Sequence, residues 1–228
     1  METEEGRSVG LFGLFHRACV KQGDTSSYER GGRSYLRWGL NALWCLRQAN
    51  LKPGQKVLIY GASGAIGTAG VQLARSFGAD VTAVCNTKHL ELVKSLGANQ
   101  VIDYTQEDFT KNDQTYDIIF DVVGKHSFRR CKDRLSKGGS YLATDGLKNL
   151  FLALWTSWIG EKKIIFSIPP RYTKEDVCHL KELIEAKRYR TVIDRYYKLE
   201  EVVDATRYVE TEQKTGNVIL IVTNNHRT

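Results

Sequence analysis

The chain has 228 residues, of which 42% are hydrophobic, enough to bury the core of one α/β domain with a small appendage. Its net charge is +7, but Lys and Arg are scattered through helices and turns, with only short clusters such as Arg129-Arg130. That pattern reads as a solvated basic surface or a site for a phosphorylated ligand, not a nucleic-acid interface. The apolar runs at residues 9–15 and 150–159 are too short to span a bilayer, so no membrane partner is expected. The start, Met1-Glu2-Thr3-Glu4-Glu5, is acidic and speaks against a targeting peptide. The five cysteines are odd in number and include no C-x-x-C. Reduced thiols and a cytoplasmic location are the expectation.

Residues 1–38 carry no period and are left unassigned. Residues 39–49 place Leu40, Leu43 and Trp44 at helical spacing, and Lys52-Pro53-Gly54-Gln55 turns into a first strand at residues 57–60. Then comes Gly61-Ala62-Ser63-Gly64-Ala65-Ile66-Gly67, with a helix behind it that Gly78 stops and a second strand at 81–84. A strand, a glycine turn, a helix and a strand make a βαβ unit. Its glycines let the backbone approach a pyrophosphate at the helix N-terminus. The spacing is G-x-x-G-x-x-G, and Thr68-Ala69 after the last glycine exclude a P-loop.

Further on, a helix at 89–96 stops at Gly97, and short strands follow at 101–102 and 117–120. Residues 128–135 read as helix, and strands follow at 140–143 and 163–168. Thr173 caps a helix running to about 186, with Glu175 and Asp176 in its first turn. A strand near 192–193, a helix at 200–208 and a strand at 218–222 finish the chain. The alternation predicts an α/β, Rossmann-type, doubly wound parallel sheet of strand order 3-2-1-4-5-6.

An acidic residue at the end of the second strand would favour NAD. That place holds Cys85-Asn86-Thr87-Lys88-His89, without a carboxylate and with donors and a positive charge for a 2′-phosphate. NADP (NADPH) is therefore the expected cofactor. Two Cys/His pairs, His16 with Cys19 and Cys178 with His179, lack a second pair at zinc-site spacing, so no metal site is expected. None of the eleven tyrosines has Lys four residues later, so the Tyr-x-x-x-Lys proton-transfer pair of short-chain dehydrogenases is missing.

Residues 39–44 (Gly-Leu-Asn-Ala-Leu-Trp), 51–67 (Leu-Lys-Pro-Gly-Gln-Lys-Val-Leu-Ile-Tyr-Gly-Ala-Ser-Gly-Ala-Ile-Gly), Leu96-Gly97-Ala98, Val101-Ile102-Asp103-Tyr104, 117–124 (Asp-Ile-Ile-Phe-Asp-Val-Val-Gly) and Lys137-Gly138-Gly139 resemble the medium-chain dehydrogenase/reductase superfamily. Within it the chain resembles the zinc-independent quinone oxidoreductase branch and its alcohol dehydrogenase-like neighbours, from about residue 38 to 222. The resemblance implies an NADP(H)-binding Rossmann domain at 39–190 and hydride transfer to a quinone, enone or related carbonyl. It places the pyrophosphate turn on Gly61, Ser63, Gly64, Ala65, Ile66 and Gly67, and the 2′-phosphate loop on Asn86, Thr87 and Lys88. Tyr104 follows the third strand, Val122, Val123 and Gly124 underlie the nicotinamide ribose, and Thr144 ends the fifth strand. Asp121 reads as a turn-orienting residue, and no catalytic residue is assigned.

The resemblance also implies a homodimer through the sixth strand, residues 163–168. Residues 1–38 do not resemble the family's N-terminal catalytic domain, so that domain is expected to be largely absent. Residues 191–228 are then a remnant that in the family returns to it, and an incomplete active site is expected. A nucleotide-binding module without efficient turnover is the alternative. Without that domain the strands near 192 and 218–222 lack their family pairing, and mobility or self-association is expected after residue 190.

Overall fold

The computed structural model describes residues 32–143, 161–166 and 172–221. Helix α1 (Gly32–Gln48) leads into β1 (Lys56–Tyr60), α2 (Ala65–Ser76) and β2 (Asp80–Cys85). A 3-10 turn (Thr87–His89) opens α3 (Leu90–Ser95), followed by β3 (Gln100–Asp103), β4 (Tyr116–Asp121), the short α4 (Phe128–Cys131), β5 (Leu135–Ala143) and β6 (Lys163–Phe166). Helix α5 (Lys174–Glu185), β7 (Ile193–Lys198), α6 (Val202–Glu210) and β8 (Asn217–Ile221) complete the order.

The six-stranded sheet runs β3-β2-β1-β4-β5-β6 and every pairing is parallel, as expected. Alternation along the strands sends side chains to two cores. Val57, Ile59, Val81, Ala83, Ile118 and Phe120 meet Leu43, Leu46, Leu73, Leu180 and Leu183 from the helices on one face. Leu58, Val84, Ile119 and Tyr141 meet Phe109, Phe128 and Cys131 on the other. Such double-sided burial is why these strands read as continuous apolar runs. Burial stabilises each of the larger side chains by about 1.5–3 kcal/mol.

Thr173 caps α5 in a full capping box with Asp176. Asp176 also pairs with Arg47 of α1 and so joins the two helices. The helix read over 128–135 is shorter than expected: it stops at Cys131, a 3-10 turn takes Lys132–Arg134, and Leu135 already pairs with Tyr116. Burial holds the Cys85 and Cys131 thiols up at about 12, which makes them inert. Cys178 is disulfide-bonded, against the expectation of reduced thiols throughout.

The last two strands pair with each other, not with a missing partner. β7 and β8 form a separate parallel ladder, from Ile193 opposite Asn217 to Lys198 opposite Ile221, with α6 as the crossover. β7 also extends well beyond the apolar pair at 192–193, through Arg195, Tyr196 and Tyr197. This supplies backbone partners along one edge of each strand. The buried side chain of Gln72 ties the unit to α2: its amide donates to Arg190 O at 3.0 Å and accepts from Arg190 N at 2.8 Å.

Candidate functional site

The glycine turn sits at the C-terminal end of β1, where parallel sheets of this order bind ligands. Gly61 has φ +81, and its N–H and that of Ala62 both donate to Val84 O at 3.0 Å. A Cβ on Gly61 would stand 2.2 Å from Val123 Cγ2, so the turn lies against the segment after β4. A Cβ on Gly67 would stand 2.1 Å from Gly61 O and 2.7 Å from Ala62 Cα. Both positions therefore require glycine. Gly64 does not, since its φ is −75 and a Cβ would meet only Gly61 O at 3.5 Å. Its effect is different: no side chain caps α2, and the first-turn N–H groups keep their affinity for an anion.

Asp121 shapes the second wall. It is fully buried, and its Oδ1 accepts from Val123 N (3.1 Å) and Gly124 N (2.9 Å). Its Oδ2 accepts from His126 N (2.8 Å) and the Tyr141 hydroxyl (3.0 Å). It orients the turn through Val122, Val123 and Gly124, as read from the sequence. Burial, followed by the Asp121 charge, pushes the Tyr141 phenol up. The His126 ring lies edge-on to Tyr60, 4.3 Å between centroids, and burial pushes its pKa down.

The third wall is the loop after β2. Thr87 and Lys88 are exposed, and Asn86 Oδ1 is buried without a hydrogen-bond partner. Tyr104, half exposed, follows β3 and donates its N–H to Cys85 O at 3.0 Å. One expectation about this loop needs correcting. A carboxylate does stand there, supplied by the neighbouring strand: Asp103 is the register partner of Cys85, and its Oδ2 accepts from Thr87 Oγ1 at 2.5 Å. Its Oδ1 accepts from Thr105 N (2.9 Å) and Thr105 Oγ1 (2.7 Å).

Residues 211–217 reach all three walls. Lys125 Nζ meets Glu212 Oε2 at 2.9 Å, Gly216 N donates to Ser63 O at 2.7 Å, and Thr215 Oγ1 lies 3.3 Å from His89 Nε2. The structure thus brings together, around the end of β1, the expected residues Gly61, Ser63, Gly64, Ala65, Ile66, Gly67, Asn86, Thr87, Lys88, Tyr104, Val122, Val123 and Gly124. Thr144 lies outside the described residues. Asp103 and the 211–217 segment were missed. The visible signal for Asp103 was the Asp-Tyr at the end of the third strand, which names a partner only once strand order and register are known.

The uncapped helix, the tight glycine turn and the orphaned Asn86 oxygen fit a dinucleotide: the first two a pyrophosphate, the third a hydroxyl or amino donor. A doubly wound parallel sheet with such a turn after its first strand is a fold of the Rossmann class. The profile of the zinc-binding dehydrogenase family matches residues 96–220, and the chain belongs to that family, in the quinone oxidoreductase and alcohol dehydrogenase-like branch of the medium-chain dehydrogenase/reductase superfamily.

Among relatives, the chain is 31% identical over 179 residues to a 2-methylene-furan-3-one reductase of Solanum lycopersicum, covering 77% of this chain and 42% of that protein. It is 31% identical over 214 residues to a mitochondrial NAD(P)H oxidoreductase of Mus musculus, covering 80% and 52%. The quinone oxidoreductase structure from Coxiella burnetii superposes with a TM-score of 0.74 at 27% identity, covering 82% of this chain and 58% of that one. The chain spans about half the length of the curated relatives it matches. Despite the family's name, no group of three or more His, Cys, Asp or Glu side chains among the described residues is placed to hold a metal ion.

Proposed function

We propose that the chain is an NAD(P)H-dependent oxidoreductase for small quinone or enone carbonyls, with NADPH as its cofactor. The observation that carries this reading is the glycine turn closed against Val123, in a chain of this family. A bound nicotinamide cofactor would supply the hydride. The protein's part is to hold and orient it. The Gly61 to Gly67 turn and the α2 N-terminus receive the pyrophosphate, and the Asp121-fixed turn at Val122-Val123-Gly124 supports the nicotinamide ribose. Lys88 offers a charge to the 2′-phosphate. No side chain is assigned a proton-transfer role.

For these 228 residues acting alone, a second reading is nucleotide binding without efficient turnover, favoured by the half-length match to the relatives. Two measurements side by side separate the readings: direct NADPH titration, and NADPH oxidation with 9,10-phenanthrenequinone. Binding with turnover on the order of 10 per second supports the first reading. Binding without turnover supports the second, and no binding defeats both.

The same proposal includes a homodimer. β6 is the edge of the six-stranded sheet and carries the apolar residues Ile164 and Ile165, an edge that invites a two-fold partner. Light scattering at micromolar concentration should return twice the chain mass. A monomer defeats the proposal.

A further inference from the structure

We infer that Asp103 is a specificity-determining residue for the cofactor: it opposes a 2′-phosphate, accepts a hydrogen bond from a free ribose 2′-hydroxyl, and so admits NADH beside NADPH. The inference rests on the proposed cofactor site and sharpens it. NAD sites of this fold place an acid at the end of the second strand, where it receives the ribose hydroxyl. Here β2 ends in Cys85, and the carboxylate comes from the strand alongside, in register with that residue. Its separation along the chain from the glycine turn hides it from any reading of the second-strand loop.

Three features make the carboxylate count. Thr87 has one hydroxyl proton and donates it to Asp103, and Thr105 does the same from the other side. Neither proton is then free for a phosphate while those bonds stand. Second, the bonds from Thr87 and Thr105 hold the Asp103 carboxyl below the usual carboxylate range, so it is charged at neutral pH. A 2′-phosphate in contact with Thr87 therefore sits within a few ångströms of a fixed negative charge. Third, the buried acceptor Asn86 Oδ1 lacks a donor, which a ribose hydroxyl provides and a phosphate dianion does not. Against these stands Lys88, exposed in the same loop. With one cation for the phosphate and one carboxylate against it, discrimination is weak.

The test is a titration of the full chain with NADPH and, separately, NADH, for wild type, Asp103→Asn and Asp103→Ser. The adenosine fragments 2′,5′-ADP and 5′-AMP serve as controls free of the nicotinamide. Removing the charge should raise the NADPH-to-NADH affinity ratio about fivefold or more, the scale of one like-charge contact near a protein surface. The fragment ratio should move in the same direction. Circular dichroism and melting identify a variant that has lost its fold, and the second substitution then carries the test. Ratios within twofold of wild type in the folded variants overturn the role of Asp103 while leaving the cofactor site standing. If wild type binds neither cofactor, the functional reading itself falls, and this inference with it.

Discussion

The six-stranded sheet and the β7–α6–β8 unit are both parallel βαβ structures, yet different forces hold them. Val57, Leu58 and Ile59 of β1 are wholly buried, with cores on both faces. On the smaller unit Tyr196 is 59% exposed and Val203 56%, and Leu199, Val202, Leu220 and Ile221 also meet solvent. The large sheet is fixed by apolar burial. The small unit is tied to it by polar contacts, among them Gln72 with Arg190, Ser63 with Gly216, His89 with Thr215 and Lys125 with Glu212, beside the packing of Val192 on the core. Three of those contacts, at Ser63, His89 and Lys125, lie at the walls of the proposed cofactor site. The less strongly buried unit is therefore the one able to yield when a ligand enters.

The sharpest way to break this comparison uses one glycine from each region. Gly67→Ala forces backbone apart at 2.1 and 2.7 Å in the heart of the turn. It should cost about 3 kcal/mol of global stability and abolish NADPH binding. Gly216→Ala meets Val192 O at 2.4 Å from a φ of +64, a strain of about 1–3 kcal/mol. Its effect should stay local, with hydrogen exchange faster in β7 and β8 and unchanged in β1. Equal acceleration in β1 would mean that the two regions unfold as one.

A smaller effect is expected at Lys88. Lys88→Ala should weaken NADPH by about 1 kcal/mol, the scale of one exposed charge-assisted contact, and leave NADH unchanged. Calorimetric titration of both cofactors checks it; an equal loss for both would remove Lys88 from the 2′-phosphate.

The smallest effect probes the large sheet's own margin. The Asp108 carboxyl is held down at about 2, first by its bond from Thr110 Oγ1 and further by Arg130. Because its folded value is depressed below the unfolded one, its contribution is fully present above about pH 4 and is lost as pH falls through about 2. Asp108→Asn should lower stability at pH 7 by less than about 1 kcal/mol, given the exposure of Arg130. Over that acid range, denaturant melts should show a shallower loss in the variant than in wild type. Parallel curves would remove Asp108 from the acid response.

The sequence by itself determined the six-stranded sheet, its strand order and its glycine turn. Short apolar strands alternating with amphipathic helices admit few topologies, because crossovers between parallel strands must pack back on the sheet. Gly61 and Gly67 were legible for a similar reason: a tight βα turn leaves no room for Cβ. Asp121 was legible because an acid at a strand end readily gathers the N–H groups of the turn that follows. What only the tertiary structure decided lies between segments distant along the chain. β7 and β8 found each other because strand edges left without a partner are costly. No local pattern announces a partner more than twenty residues away. The path of 211–217 over the turn, and the placing of Asp103 beside the end of β2, depend likewise on register. Neighbouring strands lie about 4.8 Å apart, so a carboxylate on one strand faces the loop of the next, and sequence distance does not measure that separation.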